Sequence, residues 1–251
     1  YRQQNPPFSG VKIILDQTTG LLNPTQKDLN ELVFNIHKSG LQAVIHAIEE
    51  PSIEAAIYAI AHALKKHPRS DHRHRIDHCS VCPPALSKRM ASLGIMVVTQ
   101  PSFIYYNGDR YLQTVPNYQL KSLYPIGSLM RSGVHVAGSS DCPIAPPNPL
   151  IGIYAAVNRR TKTGNKVLSE ESITPLVSLK LYTTYAARAT LQERNLGSIT
   201  PGKMADLIVL NGDPTTLPPD DLKNIQVEMT VINGRILWDK SVLTHNSSFD
   251  V

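Results

Sequence analysis

The chain has 251 residues, of which 41% are hydrophobic and 18% charged, with a formal net charge of +5; that is enough for one large domain with a sizeable core, with or without a small appendage. No apolar stretch approaches the roughly 20 residues of a membrane helix, and Tyr1-Arg2-Gln3-Gln4-Asn5-Pro6-Pro7 lacks the apolar core of a signal peptide, so neither a membrane span nor secretion is expected. Lys and Arg are scattered without a basic helix face or an aromatic stacking series, so nucleic acid is not expected as a partner.

Strand-like and helix-like segments alternate from the start, which predicts parallel βαβ units. Val11 to Leu15 is a β-branched run. Thr25 to Ser39 reads as a helix, with Leu29, Leu32, Val33 and Ile36 at helical spacing and Gly40 at the C-terminal cap. A strand ending at His46 follows. Pro51-Ser52 opens an alanine-rich helix to about Lys66, and Arg75 to His78 is again extended. Pro83-Pro84 starts a helix that ends near Gly94 and hands over to the strand Ile95 to Thr99. The stretch from Gln100 to Asn117, rich in Tyr, Pro, Asn and Gly and without a clear period, is expected to be a functional loop, a lid or substrate wall. Leu120 to Ser132 reads as helix, then comes a strand ending at Asp141, a proline-stiffened loop, and helices over Pro149 to Arg160 and Ser172 to Ala189. From Leu196 the texture becomes β, with Asn233-Gly234 between two alternating runs as a hairpin signal.

Three of the apolar runs stop at side chains able to bind a metal: His46, His78 and Asp141. In a barrel built from parallel βα units, the C-terminal strand ends form the active-site rim, and neutral imidazoles there suit a borderline cation such as zinc. A carboxylate such as Asp141 can also move a proton between water and a leaving amine. Lys12 sits inside an apolar strand, where it either reaches solvent or is desolvated and free to react, for example by adding carbon dioxide to form a carbamate. His72-Arg73-His74 has the form of a metal pair but precedes its strand, so it is expected as a solvated basic loop at the bottom of the barrel. His37 and His62 fall within helices and His67 near a helix end. His135 is expected on the strand face away from the site. Cys79, Cys82 and Cys142 are too few for a disulfide framework; Cys79-Ser80-Val81-Cys82 is read as ordinary thiols and the compartment as cytoplasmic. Asn246-Ser247-Ser248 fits a glycosylation sequon by chance.

Together, Val11-Lys12-Ile13-Ile14-Leu15-Asp16, Ile45-His46-Ala47-Ile48, Arg75-Ile76-Asp77-His78, Gly138-Ser139-Ser140-Asp141-Cys142-Pro143 and the tail from Gly197 to Leu207 resemble the amidohydrolase superfamily, in its amidohydrolase-3 branch of N-substituted formamide deformylase-like proteins. The resemblance implies an α/β fold: a partial (β/α) TIM-type barrel with five of eight strands over 1–190, and a small β-sandwich segment over 191–251. It also implies a centre of one or two divalent ions held by Lys12, His46, His78 and Asp141, with Lys12 carboxylated and Asp141 as the catalytic proton shuttle. The implied reaction is hydrolysis of a small-molecule amide-type carbon–nitrogen bond by metal-activated water. Two departures stand out. The H-x-H that relatives carry on the first barrel strand is missing, and Glu49-Glu50 replaces the Gly-Asp common after the His46 segment. The alternative is therefore a catalytically incomplete fragment or a non-catalytic binding protein. The edges of an incomplete sheet further predict self-association, including homo-oligomers.

Overall fold

The computed structural model describes residues 10–17 and 19–242; Tyr1 to Pro7 and the Asn246 sequon lie outside the described residues. Five parallel strands, β1 (Gly10–Ile14), β2 (Gln42–Ala47), β3 (Arg75–His78), β4 (Met96–Thr99) and β5 (Val136–Gly138), pair in sequence order. Helices α1 (Gln26–Lys38), α2 (Glu50–Lys66) and α3 (Pro84–Leu93) connect the first four, while α4 (Ser102–Thr114), α5 (Asn117–Leu120) and α6 (Ile126–Arg131) lie between β4 and β5. Then come α7 (Pro149–Asn158), α8 (Pro175–Leu181) and α9 (Thr184–Ala189), and a separate antiparallel sheet of β6 (Leu207–Leu210), β7 (Val227–Ile232) and β8 (Arg235–Asp239). Sequential parallel strands with helical crossovers are the repeat of a (β/α) barrel, here five strands with β1 and β5 as edges among the described residues.

The register sorts the sheet into two faces. Ile13, Ile45, Ile76, Val97 and Val136 are cross-strand partners in one continuous buried row, packed in the same core as Leu29, Val33, Ile57, Ile60 and Met90 of α1 to α3. The alternate row, Ile14, His46, Asp77, Val98 and Ala137, faces the other way, as the two-residue period of a strand requires. Part of that inner face is covered by α9, whose Ala189 is buried with Met96 and Ala137.

Local chemistry sets most boundaries. The Thr25 side chain accepts from the Asp28 N–H at the start of α1, and Gly94 closes α3 with a left-handed φ of 69°. Asn233 and Gly234 both take positive φ, 49° and 75°, the geometry of a two-residue hairpin between β7 and β8.

Three expectations are corrected. The Gln100 to Asn117 stretch is not a loop but largely helix α4, stabilised by tertiary contacts: an added Cβ on its Gly108 would stand 2.6 Å from Thr161 Cγ2, and Tyr105 packs edge-on against Tyr154 of α7. The expected 120–132 helix is interrupted before Pro125 and resumes as α6, because Pro removes a backbone donor and constrains the residue before it. The expected 172–189 helix is two helices, broken at Thr183 with φ −121° and ψ −98°. The C-terminal segment, expected as part of a β-sandwich, forms a three-stranded antiparallel sheet among the described residues.

Candidate metal centre

His46 lies in β2 and His78 ends β3, with ring centroids 4.3 Å apart in an edge-to-face arrangement. Strand parity alone would not bring them together. His78 pairs with Ala47, so a regular strand would aim it at the helix side with Ile76. Instead its φ is 76° and that of Cys79 is 52°, and this left-handed turn at the strand end coincides with a ring beside His46. Non-glycine residues held in this region cost of order 1–3 kcal/mol each and concentrate at functional sites.

Both rings are kept neutral. Burial lowers the His46 pKa below the usual histidine range, and the neighbouring His78 and the Lys12 ammonium push it the same way. Burial also lowers that of His78, opposed in part by the Asp141 carboxylate. His78 Nδ1 lies 3.0 Å from Gln100 Oε1 and donates to it, which leaves the lone pair on Nε2 for a ligand, the usual way an outer partner orients an imidazole.

Asp141 lies three residues beyond β5, in the loop, with φ 55°. It lines a cleft with about 620 Å³ of empty space together with Lys12, Arg75, Asp77, His78 and Gln100. Lys12 is opposite Val44, whereas Ile14 is opposite His46, so Lys12 sits two residues below the histidine level. Its side chain is 45% exposed and its Nζ stands 2.5 Å from Asp77 Oδ2, while Arg75 Nε donates to Asp77 Oδ1 at 3.1 Å. The sequence reading that Lys12 reaches solvent holds, with an ion pair added. Arg75, Asp77 and Gln100 join the cleft beyond the residues expected there; the sequence signal for Gln100 is its position directly after β4, as His78 ends β3.

The donor set fits a cation as a partial site. Two neutral imidazoles at adjacent strand ends suit zinc or a similar ion, but among the described residues no group of three or more His, Cys, Asp and Glu side chains comes together closely enough to hold a metal.

His37, His72, His74 and His135 make hydrogen bonds within the fold, away from the His46–His78 pair. His72-Arg73-His74 does precede β3, yet it is not a solvated loop: His72 and His74 are buried. The Ala43 N–H donates to His74 Nδ1 at 2.9 Å, His74 Nε2 donates to His37 Nδ1 at 2.8 Å, and His37 Nε2 donates to the His67 carbonyl at 2.6 Å. His72 accepts the His74 N–H and donates to the Leu93 carbonyl. Burial, with the neighbouring His72 and His37, lowers the His74 pKa to about 2. His135 bonds the Tyr185 carbonyl and meets the Tyr185 ring edge-on at 5.1 Å. Cys79 and Cys82 are buried free thiols, and Cys142 is free and exposed.

Parallel β/α units with two imidazoles at neighbouring strand ends define an α/β protein consistent with part of a barrel. The chain belongs to the amidohydrolase family, whose amidohydrolase-3 sequence pattern matches residues 4–238. It is similar to the Bacillus subtilis (strain 168) protein YtcJ, named as an amidohydrolase, with 31% identity over 243 residues, 95% of this chain and 43% of that protein. The N-substituted formamide deformylase of Arthrobacter pascens is 27% identical over 218 residues, 86% of this chain and 40% of the enzyme. Among solved structures, an uncharacterized metal-dependent hydrolase from Pyrococcus horikoshii superposes with a TM-score of 0.71 at 25% identity, over 84% of this chain and 46% of that one. The chain thus spans less than half the length of each of these proteins. No helix among the described residues is long and apolar enough to cross a membrane.

Proposed function

We propose that this chain supplies His46 and His78 as two ligands of a divalent-metal centre, zinc by preference, in a hydrolase that cleaves carbon–nitrogen bonds of amide type in small molecules. The observation that carries this reading is the pair of neutral imidazoles 4.3 Å apart, set side by side by a left-handed turn at the end of β3. Family membership and the metal-dependent hydrolase among the structural neighbours support it over a non-catalytic binding role.

When bound, the ion lowers the pKa of water and polarises the substrate carbonyl. The chain's own residues do the rest. Gln100 holds His78 in the tautomer that presents Nε2. Asp141, which lines the same cleft as His78, would contact the ion, take the proton of the attacking water and return it to the departing nitrogen as the C–N bond breaks. In a two-ion form Lys12 would serve as a carbamate, once its amine left Asp77, lost its proton and added carbon dioxide with release of a second proton. The further ligands of a closed site come, in this reading, from the part of the relatives' length that this chain does not span. The three free thiols accord with a cytoplasmic protein.

Zinc titration of the full chain, followed by metal analysis after gel filtration, tests the reading. Bound zinc whose affinity falls at least about tenfold in His46→Ala and in His78→Ala supports it, since each variant loses one of few ligands. Failure to bind zinc, manganese or iron, or an affinity that both variants leave unchanged from the parent chain, refutes it.

A further inference from the structure

His46, His78 and Asp141 line a second cavity, whose lining includes neither Lys12 nor Arg75, with about 780 Å³ of space that is partly open to solvent. Its walls are Ile48, Val81, Phe103, Val115, Leu123 and Tyr124. These walls are fixed by their surroundings. Tyr124 has φ 46°, and its N–H donates to the Ser80 carbonyl at 2.6 Å. The buried guanidinium of Arg159 donates to the Leu123 and Tyr124 carbonyls at 3.1 and 2.9 Å. The Tyr124 ring meets Phe103 edge-on at 6.2 Å and Tyr111 at 6.0 Å. Several hydrophobic and aromatic walls around a few convergent polar groups are what a ligand site for an apolar moiety needs.

Charge narrows the occupant. Among the described residues lining this cavity the ionisable acids are Glu49 and Asp141, and there is no Lys or Arg. The cations Lys12 and Arg75 line the neighbouring cleft instead. Beyond the His46–His78 end, a carboxylate in this cavity would meet Glu49 and no Lys or Arg, whereas a flat neutral ring would meet aromatic edges and aliphatic walls.

We infer that this cavity is the specificity pocket of the site, and that it takes the uncharged, ring-sized apolar substituent of an amide whose carbonyl lies at His46 and His78. The inference rests on the proposed function for the position of the scissile bond, but the pocket's preference can be read without turnover.

Binding of three probes to the full chain, N-methylacetamide, N-benzylacetamide and N-(4-carboxybenzyl)acetamide, is measured by calorimetry and by NMR titration. The benzyl probe is expected to bind at least about tenfold tighter than the methyl probe, and the added carboxylate to abolish that gain. Val115→Trp, which fills the pocket, is expected to remove the benzyl preference. Ile144→Asp, at a mouth position 68% exposed and so safe for folding, adds a further acid and is expected to weaken the carboxybenzyl probe. Equal affinity for the methyl and benzyl probes, a carboxybenzyl probe bound as tightly as benzyl, or benzyl binding unchanged in Val115→Trp in a chain still folded by circular dichroism would overturn the inference. A chain that binds the benzyl probe in a Val115-dependent way but binds no metal leaves the pocket standing and removes the proposed function; metal binding without benzyl preference does the reverse.

Discussion

Acidification tests the buried histidine chain beneath the sheet. His74 is fully buried, accepts the Ala43 N–H and donates to His37, and its pKa in the folded state is about 2 against an ordinary value of 6.5. The folded value lies below the unfolded one, so as pH drops the unfolded chain takes up the proton first. Stability from this group is therefore complete above about 6.5 and is lost progressively as pH falls toward 2. Each unit of pH in that window costs about 1.4 kcal/mol, which makes roughly 2 kcal/mol between pH 7 and pH 5. His37 and His72, whose pKa values burial also lowers, act in the same direction. His74→Asn keeps an acceptor for Ala43 N–H and removes the titration. The variant is expected to be less stable at pH 7, by about 1–3 kcal/mol, because His37 Nδ1 loses its donor. Its stability should then depend less on pH than that of the parent chain by roughly 2 kcal/mol between pH 7 and pH 5. Urea unfolding followed by circular dichroism at both pH values supplies the comparison. Parallel pH dependences in the two proteins would refute the assignment of a neutral, buried His74.

Further outcomes follow from packing. Arg159 is fully buried and its guanidinium serves the Val167, Tyr124 and Leu123 carbonyls; the Tyr124 carbonyl keeps the Ile126 N–H, so Arg159→Leu should cost about 2–5 kcal/mol in urea unfolding by stripping the Val167 and Leu123 carbonyls of this donor. Gly152→Ala would set a methyl 1.8 Å from the Tyr182 hydroxyl and 2.6 Å from its ring; the ring must move, and a loss of about 1–3 kcal/mol with a changed Tyr182 environment by NMR is expected. Ile14 on the edge strand β1 and Ile236 and Leu237 on β8 are more than half exposed, so sedimentation should show self-association that grows with concentration; a monomer at high concentration would count against it.

Much of the barrel segment was legible because its signals are local. A cap residue, a proline at a helix start or a glycine with left-handed φ acts within one turn, and Thr25, Pro84 and Gly94 mark boundaries where the structure has them. Helix α4 was not legible because Tyr, Asn and Gly carry little helix propensity, and the contacts that secure it, Gly108 on Thr161 and Tyr105 on Tyr154, join residues about fifty positions apart. The burial of His72 and His74 was hidden for the same reason, since their partners His37, Ala43 and Leu93 lie elsewhere in the chain. At the site, strand ends located His46 and His78, but the period of a strand sends them to opposite faces. The positive φ of His78 that accompanies their meeting has no signature in the residues around it.

The most direct test of the metal centre is the X-ray absorption spectrum of the zinc-loaded chain. The account expects imidazole scattering from two histidines, with zinc–nitrogen distances of about 2.0–2.1 Å, and one imidazole fewer in His78→Ala. A spectrum without imidazole scattering, or one that His46→Ala and His78→Ala both leave unchanged, would contradict it.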